Sequence, residues 1–329
     1  MNEFGKMLLK VLHRAYCKLF LPPRNSTKNC IVDSELASEK IYDLLVSDEP
    51  CLICRYGSVE LNCVLNYLSV IKGGFPVLDY ITNKRFQWWW NERSLNEMRT
   101  NAGFFPLEIS LIEKFCEVML DASKQIDILG HWIDQEVLLK EYWPNTMEKV
   151  NLLMLEPYWS KNPWTRALKG KKVVVVHPFA ELIEKQYKEK RTLLFENQDV
   201  LPEFELRTVK AVQSIGGDCD EFNNWFDALD WMKKELDKES YDVALIGCGA
   251  YGMPLAAYSK QTGHKAVHLA GALQLLFGIR GKRWDDPNYG EMVFKRKNKY
   301  YELFNSNWVY PGKNYTPRMA KQVENGCYW

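Results

Sequence analysis

The chain has 329 residues, of which 47% are hydrophobic and 26% are charged, and its formal net charge is +1. This length allows one large α/β domain or two ordinary domains with a substantial core. The near-neutral charge provides no general attraction to nucleic acid, and we expect no such partner. Nine cysteines occur without a signal peptide or a second C-x-x-C pair at zinc-finger spacing. We therefore expect reduced thiols and a cytoplasmic location.

Residues 1–30 form a basic N-terminal segment. Apolar residues recur at helical spacing through residues 4–20, with four basic residues largely between them. No apolar run approaches the ~20 residues of a membrane-spanning helix. Two interpretations are open: an amphipathic helix on the anionic inner face of a membrane, or a helix that packs on the domain or on a partner subunit. Pro22–Pro23 ends the segment in either case.

Residues 31–329 are predicted to form one large α/β domain, divisible into halves at 31–160 and 161–329. Periodicity and breaker residues define the elements of the first half. The predicted helices are Ser34–Val46, Leu61–Val70, Asn83–Met98, Glu108–Ala122 and Trp132–Lys140, and the predicted strands are Cys51–Cys54, Ile126–Leu129 and Asn151–Leu155. Three consecutive tryptophans, Trp88–Trp90, cannot all face one core. We therefore expect at least one ring to be partly exposed. Such a ring could be partly buried at the edge of a large core, stack on a sugar or lie at a membrane interface.

The turn Arg55–Glu60 follows the first predicted strand, at the strand end where open α/β sheets bind ligands. Arg55 is suited to a bidentate grip on phosphate. Gly57 allows close backbone approach, and Glu60 suits a metal, a sugar hydroxyl or a proton. The alternative is a mutual ion pair between Arg55 and Glu60 at the start of a helix.

The second half alternates strands and helices. The predicted strands are Val173–Val176, Phe204–Val212, Asp242–Ile246 and Lys265–Leu269, and the predicted helices are Phe179–Phe195, Asn223–Leu236 and Pro254–Thr262. This alternation predicts a doubly wound, Rossmann-like α/β fold with a mainly parallel sheet. His177 ends the first of these strands. It either binds phosphate or carries a proton, or its ring caps the following helix.

Gly247, Gly249 and Gly252 form a G-x-G-x-x-G turn between a predicted strand and a predicted helix. In that context glycines allow the backbone to approach a phosphate, and the helix N-terminus offers free N–H groups. A dinucleotide site would place a carboxylate about twenty residues further on. That position falls at the strand end His268–Gly271, which has none, so the motif indicates a nucleotide or phosphate site and argues against NAD. The alternative is a close helix–strand crossing without a ligand.

A basic stretch follows at residues 278–284. Its glycines and its three cations Arg280, Lys282 and Arg283 suit a mobile loop that closes on a diphosphate. The alternative is a solvated basic loop.

Three stretches together resemble bacterial glycosyltransferases of the GT-D fold, a Rossmann-like class of glycan and capsule assembly. They are Arg55–Glu60, which looks like the R-x-G-D-x-E segment of that class, Asn101–Pro106, which is similar to its Gly-Phe-Pro turn, and the glycine turn Gly247–Gly252. The chain is also similar to uncharacterised polysaccharide-locus proteins at His177–Glu181 and Ile246–Gly252. The resemblance covers most of residues 31–284.

The resemblance implies a glycosyltransferase that moves a sugar from a nucleotide-sugar donor, most simply UDP-linked, to a glycan or lipid-linked acceptor at the inner membrane face. Glu60 would orient the donor sugar or deprotonate the acceptor, with His177 and Glu181 as reserve bases. We assign the nucleotide and its phosphates to Arg55, Gly57, Ser58, Gly247, Gly249, Tyr251, Gly252, His268, Gly271, Arg280, Lys282 and Arg283, and the acceptor or sugar to Asn101, Gly103 and Trp284.

The chain departs from the family motif at one position. The aspartate of D-x-E, thought to help hold Mn²⁺ or Mg²⁺ on the sugar diphosphate, is replaced by Ser58, while Glu60 is kept. A hydroxyl is a poor substitute for a carboxylate in binding these ions, so the sequence leaves dependence on Mn²⁺ or Mg²⁺ open, with Glu60 as the candidate ligand. Cations would then neutralise the leaving diphosphate instead, from the set Arg55, Arg280, Lys282 and Arg283.

Two other functions are open. A Rossmann-type NAD or sugar-nucleotide oxidoreductase is disfavoured by the missing ribose carboxylate. A non-catalytic nucleotide-sugar-binding subunit of a glycan-assembly complex would explain Ser58 as a record of lost catalysis.

Overall fold

The computed structural model describes residues 1–22, 27–217, 219–322 and 326–329. Its centre is a sheet of seven strands: β1 (Leu52–Cys54), β2 (Ile128–His131), β3 (Glu148–Asn151), β4 (Lys172–His177), β5 (Glu205–Lys210), β6 (Val243–Ile246) and β7 (Lys265–His268). The strand order is β3-β2-β1-β7-β6-β4-β5, and all neighbours run parallel. The predicted α/β, Rossmann-like architecture is therefore confirmed. Because β1 pairs with β7, the two halves of the chain share one sheet.

Helices connect the strands and cover both faces of the sheet. The α-helices of the described residues are α1 (Glu3–Phe20), α2 (Ser34–Val46), α3 (Ser58–Lys72), α4 (Val77–Ile81), α5 (Glu92–Thr100), α6 (Ile109–Ser123), α7 (Ala180–Leu194), α8 (Trp225–Leu236), α9 (Gly252–Gln261), α10 (Leu273–Leu276) and α11 (Glu291–Phe294). Side-chain caps fix several starts. The Asp33 carboxylate accepts the N–H of Leu36 at 2.9 Å, and Asn224 accepts the N–H groups of Phe226 and Asp227.

The strands separate two apolar layers, because successive residues of a strand point to opposite faces. In β4, Val174 and Val176 join the layer that contains α3, α6, α8 and α9, whereas Val173 and Val175 join the layer that contains α2, α7 and α10. Burial on both faces explains the uninterrupted apolar runs that predict these strands.

The predicted helix Asn83–Met98 forms only in its second part, as α5. Hydrogen bonds from Asn66 hold the first part in a non-helical course. Its amide nitrogen donates to the carbonyls of Gln87 and Trp89, each at 2.9 Å, and its oxygen accepts the N–H of Asn91 at 3.0 Å. All three rings of the tryptophan triplet are partly exposed, as predicted for at least one of them.

Two further predicted elements differ from the structure. The predicted strand Asn151–Leu155 is mostly a 3-10 turn, because the Asn151 side chain accepts the N–H of Leu153 at 3.1 Å and the strand ends there. The predicted α-helix Trp132–Lys140 is a 3-10 helix over Asp134–Tyr142.

Helix α1 lies on the surface against α4. The His13 ring stacks on Tyr80 with 4.8 Å between ring centroids, and α1 ends at Phe20. The predicted break at Pro22–Pro23 extends outside the described residues at Pro23. None of the helices in the described ranges is both long and apolar enough to cross a membrane.

Candidate functional site

A cleft of about 570 Å³ opens at the carboxyl edge of the sheet. Each of the seven strands contributes a residue at or just after its end: Arg55, Trp132, Asn151, His177, Val212, Gly247 and His268, from β1 to β7 in turn. Neighbouring β4 and β6 continue into α7 and α9 on opposite faces of the sheet. The same is true of β1 and β7, which continue into α3 and α10. Such reversals leave a crevice where open α/β sheets bind ligands.

Most residues that the sequence predicts for the site come together in this cleft. Those that line it are Arg55, Gly57, Ser58, Glu60, Asn101, Gly103, His177, Gly247, Gly249, Tyr251, His268, Gly271 and Arg283. Those that do not line it are Glu181, Gly252, Arg280, Lys282 and Trp284. The motifs at both ends of the chain therefore converge, although more than 200 residues separate Arg55 from Arg283.

The residues outside the cleft lie in positions that do not fit their predicted roles. Glu181 is exposed and pairs with Lys210 at 3.0 Å, away from any place for a catalytic base. The stretch from residue 278 is not an open basic loop, because Arg280 is paired with Asp285 at 2.6 Å. Trp284 is 1% exposed, so its ring packs in the core and cannot meet a sugar, while Lys282 points to solvent.

The three glycines of the turn serve different purposes. At Gly252, a Cβ would lie 2.0 Å from the ring of His268, so this glycine permits a close helix–strand crossing. At Gly247, a Cβ would meet the carbonyl of Ala270 at 2.6 Å. Gly249 has φ +58°, and a Cβ there would meet nothing within 4 Å. The structural alternative thus applies to two glycines, whereas Gly249 presents open backbone to the cleft just before α9 begins.

Two buried imidazoles face the cleft with opposite hydrogen-bonding character. Nδ1 of His177 accepts the N–H of Phe179 at 3.0 Å, so its proton is on Nε2, which is a donor. Nδ1 of His268 donates to the carbonyl of Ile246 at 3.1 Å, so its Nε2 is an acceptor. Burial lowers the pKa of His177 to about 3. Burial, followed by the positive charge of Arg55, lowers the pKa of His268 to about 3. Both rings are neutral near pH 7.

The position of His177 is compatible with a structural role and with ligand binding, but not with the role of a base. Its ring does cap the backbone after β4, as the structural alternative proposed, while the other side of the ring lines the cleft. A neutral ring with its proton on Nε2 cannot take a proton at that atom. It is therefore unsuited to act as a base and suited to donate a hydrogen bond to an anion.

Two arginines supply positive charge to one end of the cleft. The Arg55 guanidinium lies over the Trp132 ring at 4.8 Å from its centroid, and the Arg283 guanidinium lies over the Tyr328 ring at 4.6 Å. Both arginines also line a small adjoining recess beside Gly271. Stacking on an aromatic face orients a guanidinium without removing its charge.

Glu60 is the third residue of α3, and its carboxylate folds back over the helix start. A Cβ added to Gly57 would lie 1.8 Å from Oε2 of Glu60, so residue 57 must be glycine for this conformation. A carboxylate at that helix position interacts favourably with the N-terminal dipole. Among the described residues that line the cleft, Glu60 is the only Asp or Glu.

The donor set does not fit a divalent metal. Mg²⁺ and Mn²⁺ are held by carboxylates and other oxygen ligands, whereas the cleft offers Glu60 beside the neutral hydroxyl of Ser58. No group of three His, Cys, Asp or Glu side chains suited to a metal occurs within the part of the chain that the structure describes.

Several lining residues were missed by sequence reasoning. Trp132 directly follows β2, and its Nε1 donates to the carbonyl of Tyr56 at 2.9 Å, a position that strand-end reasoning could have found. Ser214 donates to the carbonyl of Gly103 at 2.6 Å and joins the β5 loop to the Asn101–Pro106 turn. Tyr328 and Trp329 reach the cleft from the far end of the chain, and no local pattern predicts it.

Comparison of the chain with family models, curated proteins and solved structures finds no match. The functional argument therefore depends on the fold and on the chemistry of the cleft.

Proposed function

We propose that the protein is a glycosyltransferase of GT-D type that uses a nucleoside-diphosphate sugar, UDP-linked in the simplest case. Its acceptor is a glycan or lipid-linked saccharide of cell-surface polysaccharide biosynthesis, and it works in the cytoplasm, peripheral to the inner membrane face. The observation that carries this proposal is the common cleft of Arg55, Arg283 and the Gly249 turn. Two cations and open backbone meet where open α/β sheets bind ligands.

The leaving group is assigned to the cationic end of the cleft. The diphosphate lies on the turn from Gly247 to Gly249, where the N-terminus of α9 supplies N–H groups and a positive dipole end. Transfer breaks the bond from the anomeric carbon to the diphosphate oxygen, and the acceptor oxygen bonds to the same carbon. The electron pair remains on the diphosphate, where Arg55 and Arg283 stabilise its charge. The Nε2–H of His177 is a further donor to phosphate oxygen.

Glu60 is assigned to the acceptor side of the reaction. As the acidic side chain of the cleft lining, it takes the proton of the acceptor hydroxyl or binds a hydroxyl of the donor sugar. Glu181 and His177 are set aside as bases, the first by its position and the second by its protonation.

A non-catalytic nucleotide-sugar-binding subunit is the second candidate. It is favoured by the fold-back of the Glu60 carboxylate over Gly57, which places that group beside the first turn of its own helix. An oxidoreductase is not favoured, since β7 ends at His268 without a carboxylate for a ribose.

The proposal is tested by calorimetric titration with UDP, GDP, CDP and NADH, each with and without Mn²⁺. We expect one nucleoside diphosphate to bind with micromolar Kd, and Gly249→Ala to weaken it about ten-fold or more because the methyl group enters the cleft. Gly170→Ala is the matched control. Gly170 also has positive φ (+69°) and open space around it, but it lies outside the cleft. Binding of NADH alone would contradict the proposal.

Glu60→Gln separates the two candidates. The amide keeps the shape of the side chain, so we expect unchanged donor binding and a loss of nucleoside-diphosphate release of about 100-fold or more, the usual contribution of a positioned base. Donor binding without nucleoside-diphosphate release, in the parent and in Glu60→Gln alike, would favour the non-catalytic subunit.

A further inference from the structure

Helix α1 turns its apolar side away from the protein. Its exposed residues include Phe4 (74%), Met7 (66%) and Val11 (52%), and further members of the same side are Leu8, Leu12 and Leu19. The helix is held instead by its opposite side, where Nδ1 of His13 is 2.7 Å from the carbonyl oxygen of Tyr80. None of the residues of α1 is buried. The amphipathic pattern therefore does not serve packing on the domain.

Further exposed apolar residues lie on the segment after α3, which packs against α1. The ring of Tyr80, which holds α1, also contacts Trp88 and Trp89, with 6.0 Å and 5.5 Å between centroids. Trp88 in turn contacts Phe75, which is 75% exposed, and Leu78 is equally exposed. Partly exposed tryptophans beside exposed aliphatic residues are typical of a membrane–water interface.

The charges of α1 match an anionic surface. Lys10, Arg14 and Lys18 accompany the apolar side, and the acidic residue of the helix, Glu3, is paired with Lys6 at 2.6 Å. A two-fold dimer through this face would place the same cations of two copies near one another. Anionic lipid headgroups would instead be attracted by them.

We propose that the outer face of α1, together with Phe75, Leu78 and Trp88, lies on the surface of an anionic lipid bilayer. This contact is remote from the cleft. Helix α3 has 15 residues and begins at the cleft with Ser58, so its other end, beside α4, is about 22 Å away. The inference therefore does not depend on the proposed transferase chemistry.

Vesicle flotation of the full chain tests the inference. We expect binding to phosphatidylcholine vesicles that contain phosphatidylglycerol and much weaker binding to phosphatidylcholine alone. Val11→Asp should lower the fraction of protein bound to vesicles about ten-fold or more, because a charge replaces an apolar side chain that the bilayer would bury. Val137→Asp is the matched control, since Val137 is 50% exposed and lies on the 3-10 helix after β2.

A double variant, Arg14→Glu with Lys18→Glu, tests the charges independently of the apolar side. It should remove the preference for phosphatidylglycerol, and circular dichroism should show the same unfolding temperature as the parent. Equal binding of Val11→Asp and the parent would overturn the inference, as would equal binding to both vesicle types. A dimer in solution that Val11→Asp dissociates would overturn it too, and would assign the face to a second copy.

Discussion

Glu156 provides a quantitative test of the packing beside the cleft. Its side chain is 5% exposed, and Oε2 accepts hydrogen bonds from the Tyr300 hydroxyl at 2.6 Å and from Trp159 Nε1 at 2.7 Å. Burial raises the pKa of this carboxyl from 4.5 to about 7, against the opposing effect of those donors. The folded protein therefore binds more protons than the unfolded chain between these two pH values.

The sign of the pH dependence follows from that difference in bound protons. The contribution of Glu156 to the free energy of unfolding is greatest below pH 4.5. It falls as the pH rises through the folded pKa and is constant above that. A rise in the Glu156 pKa from 4.5 to about 7 corresponds to a loss of about 3 kcal/mol in the free energy of unfolding at high pH. Glu156→Gln keeps an oxygen acceptor and removes the ionisation, so it should remove this loss.

The assay is urea unfolding at a series of pH values across this range, followed by tryptophan fluorescence. Relative to the parent, the free energy of unfolding of Glu156→Gln should increase by about 3 kcal/mol from the acid end of the pH series to its alkaline end. Glu239→Gln removes the same charge at an exposed position and serves as control. A difference between Glu156→Gln and the parent that does not change with pH would refute the argument.

Three further predictions concern the cleft and the glycine turn beside it. Arg55→Gln should weaken nucleoside-diphosphate binding about ten-fold or more, since it removes a charge-assisted contact; titration at two salt concentrations should show a reduced salt dependence, and an unchanged Kd would contradict the assignment. Diphosphate binding should not change between pH 6 and pH 8 on account of His177 or His268, because each pKa is about 3; NMR of the ring protons would expose a titration in that range. Gly252→Ala should destabilise the fold by about 1–3 kcal/mol, because the methyl group meets the buried His268 ring at 2.0 Å; unfolding by urea measures it, and a neutral result would contradict this packing.

The sequence predicts those parts of the structure that depend on local patterns. Strands buried on both faces, such as β4 with its run Val173–Val176, have a composition that leaves few alternatives. The segment around Trp88–Trp90 was wrongly predicted as a helix because its backbone is fixed by the side chain of Asn66, which is distant in sequence. Propensity cannot include such a tertiary contact.

The candidate site shows the same limit. Gly249 and Gly252 belong to one motif, yet one faces open space and the other packs against His268. Only the position of β7 distinguishes them, and that position is not contained in the motif. Likewise, Tyr328 lies beside the cleft only because of the fold of the rest of the chain. No sequence pattern around Tyr328 or Arg283 predicts the contact between them.

If the cleft binds a diphosphate as proposed, its electrostatics suit direct binding better than binding through a metal. A metal site requires the protein to supply negative charge, and here the acidic lining residue is Glu60 at a helix start. The positive charge comes from the guanidinium groups of Arg55 and Arg283. The imidazoles beside them are neutral and add hydrogen-bonding groups without adding charge. If Mn²⁺ strengthened diphosphate binding in the parent protein but not in Glu60→Gln, this account of charge neutralisation would be wrong even though the transferase assignment could stand.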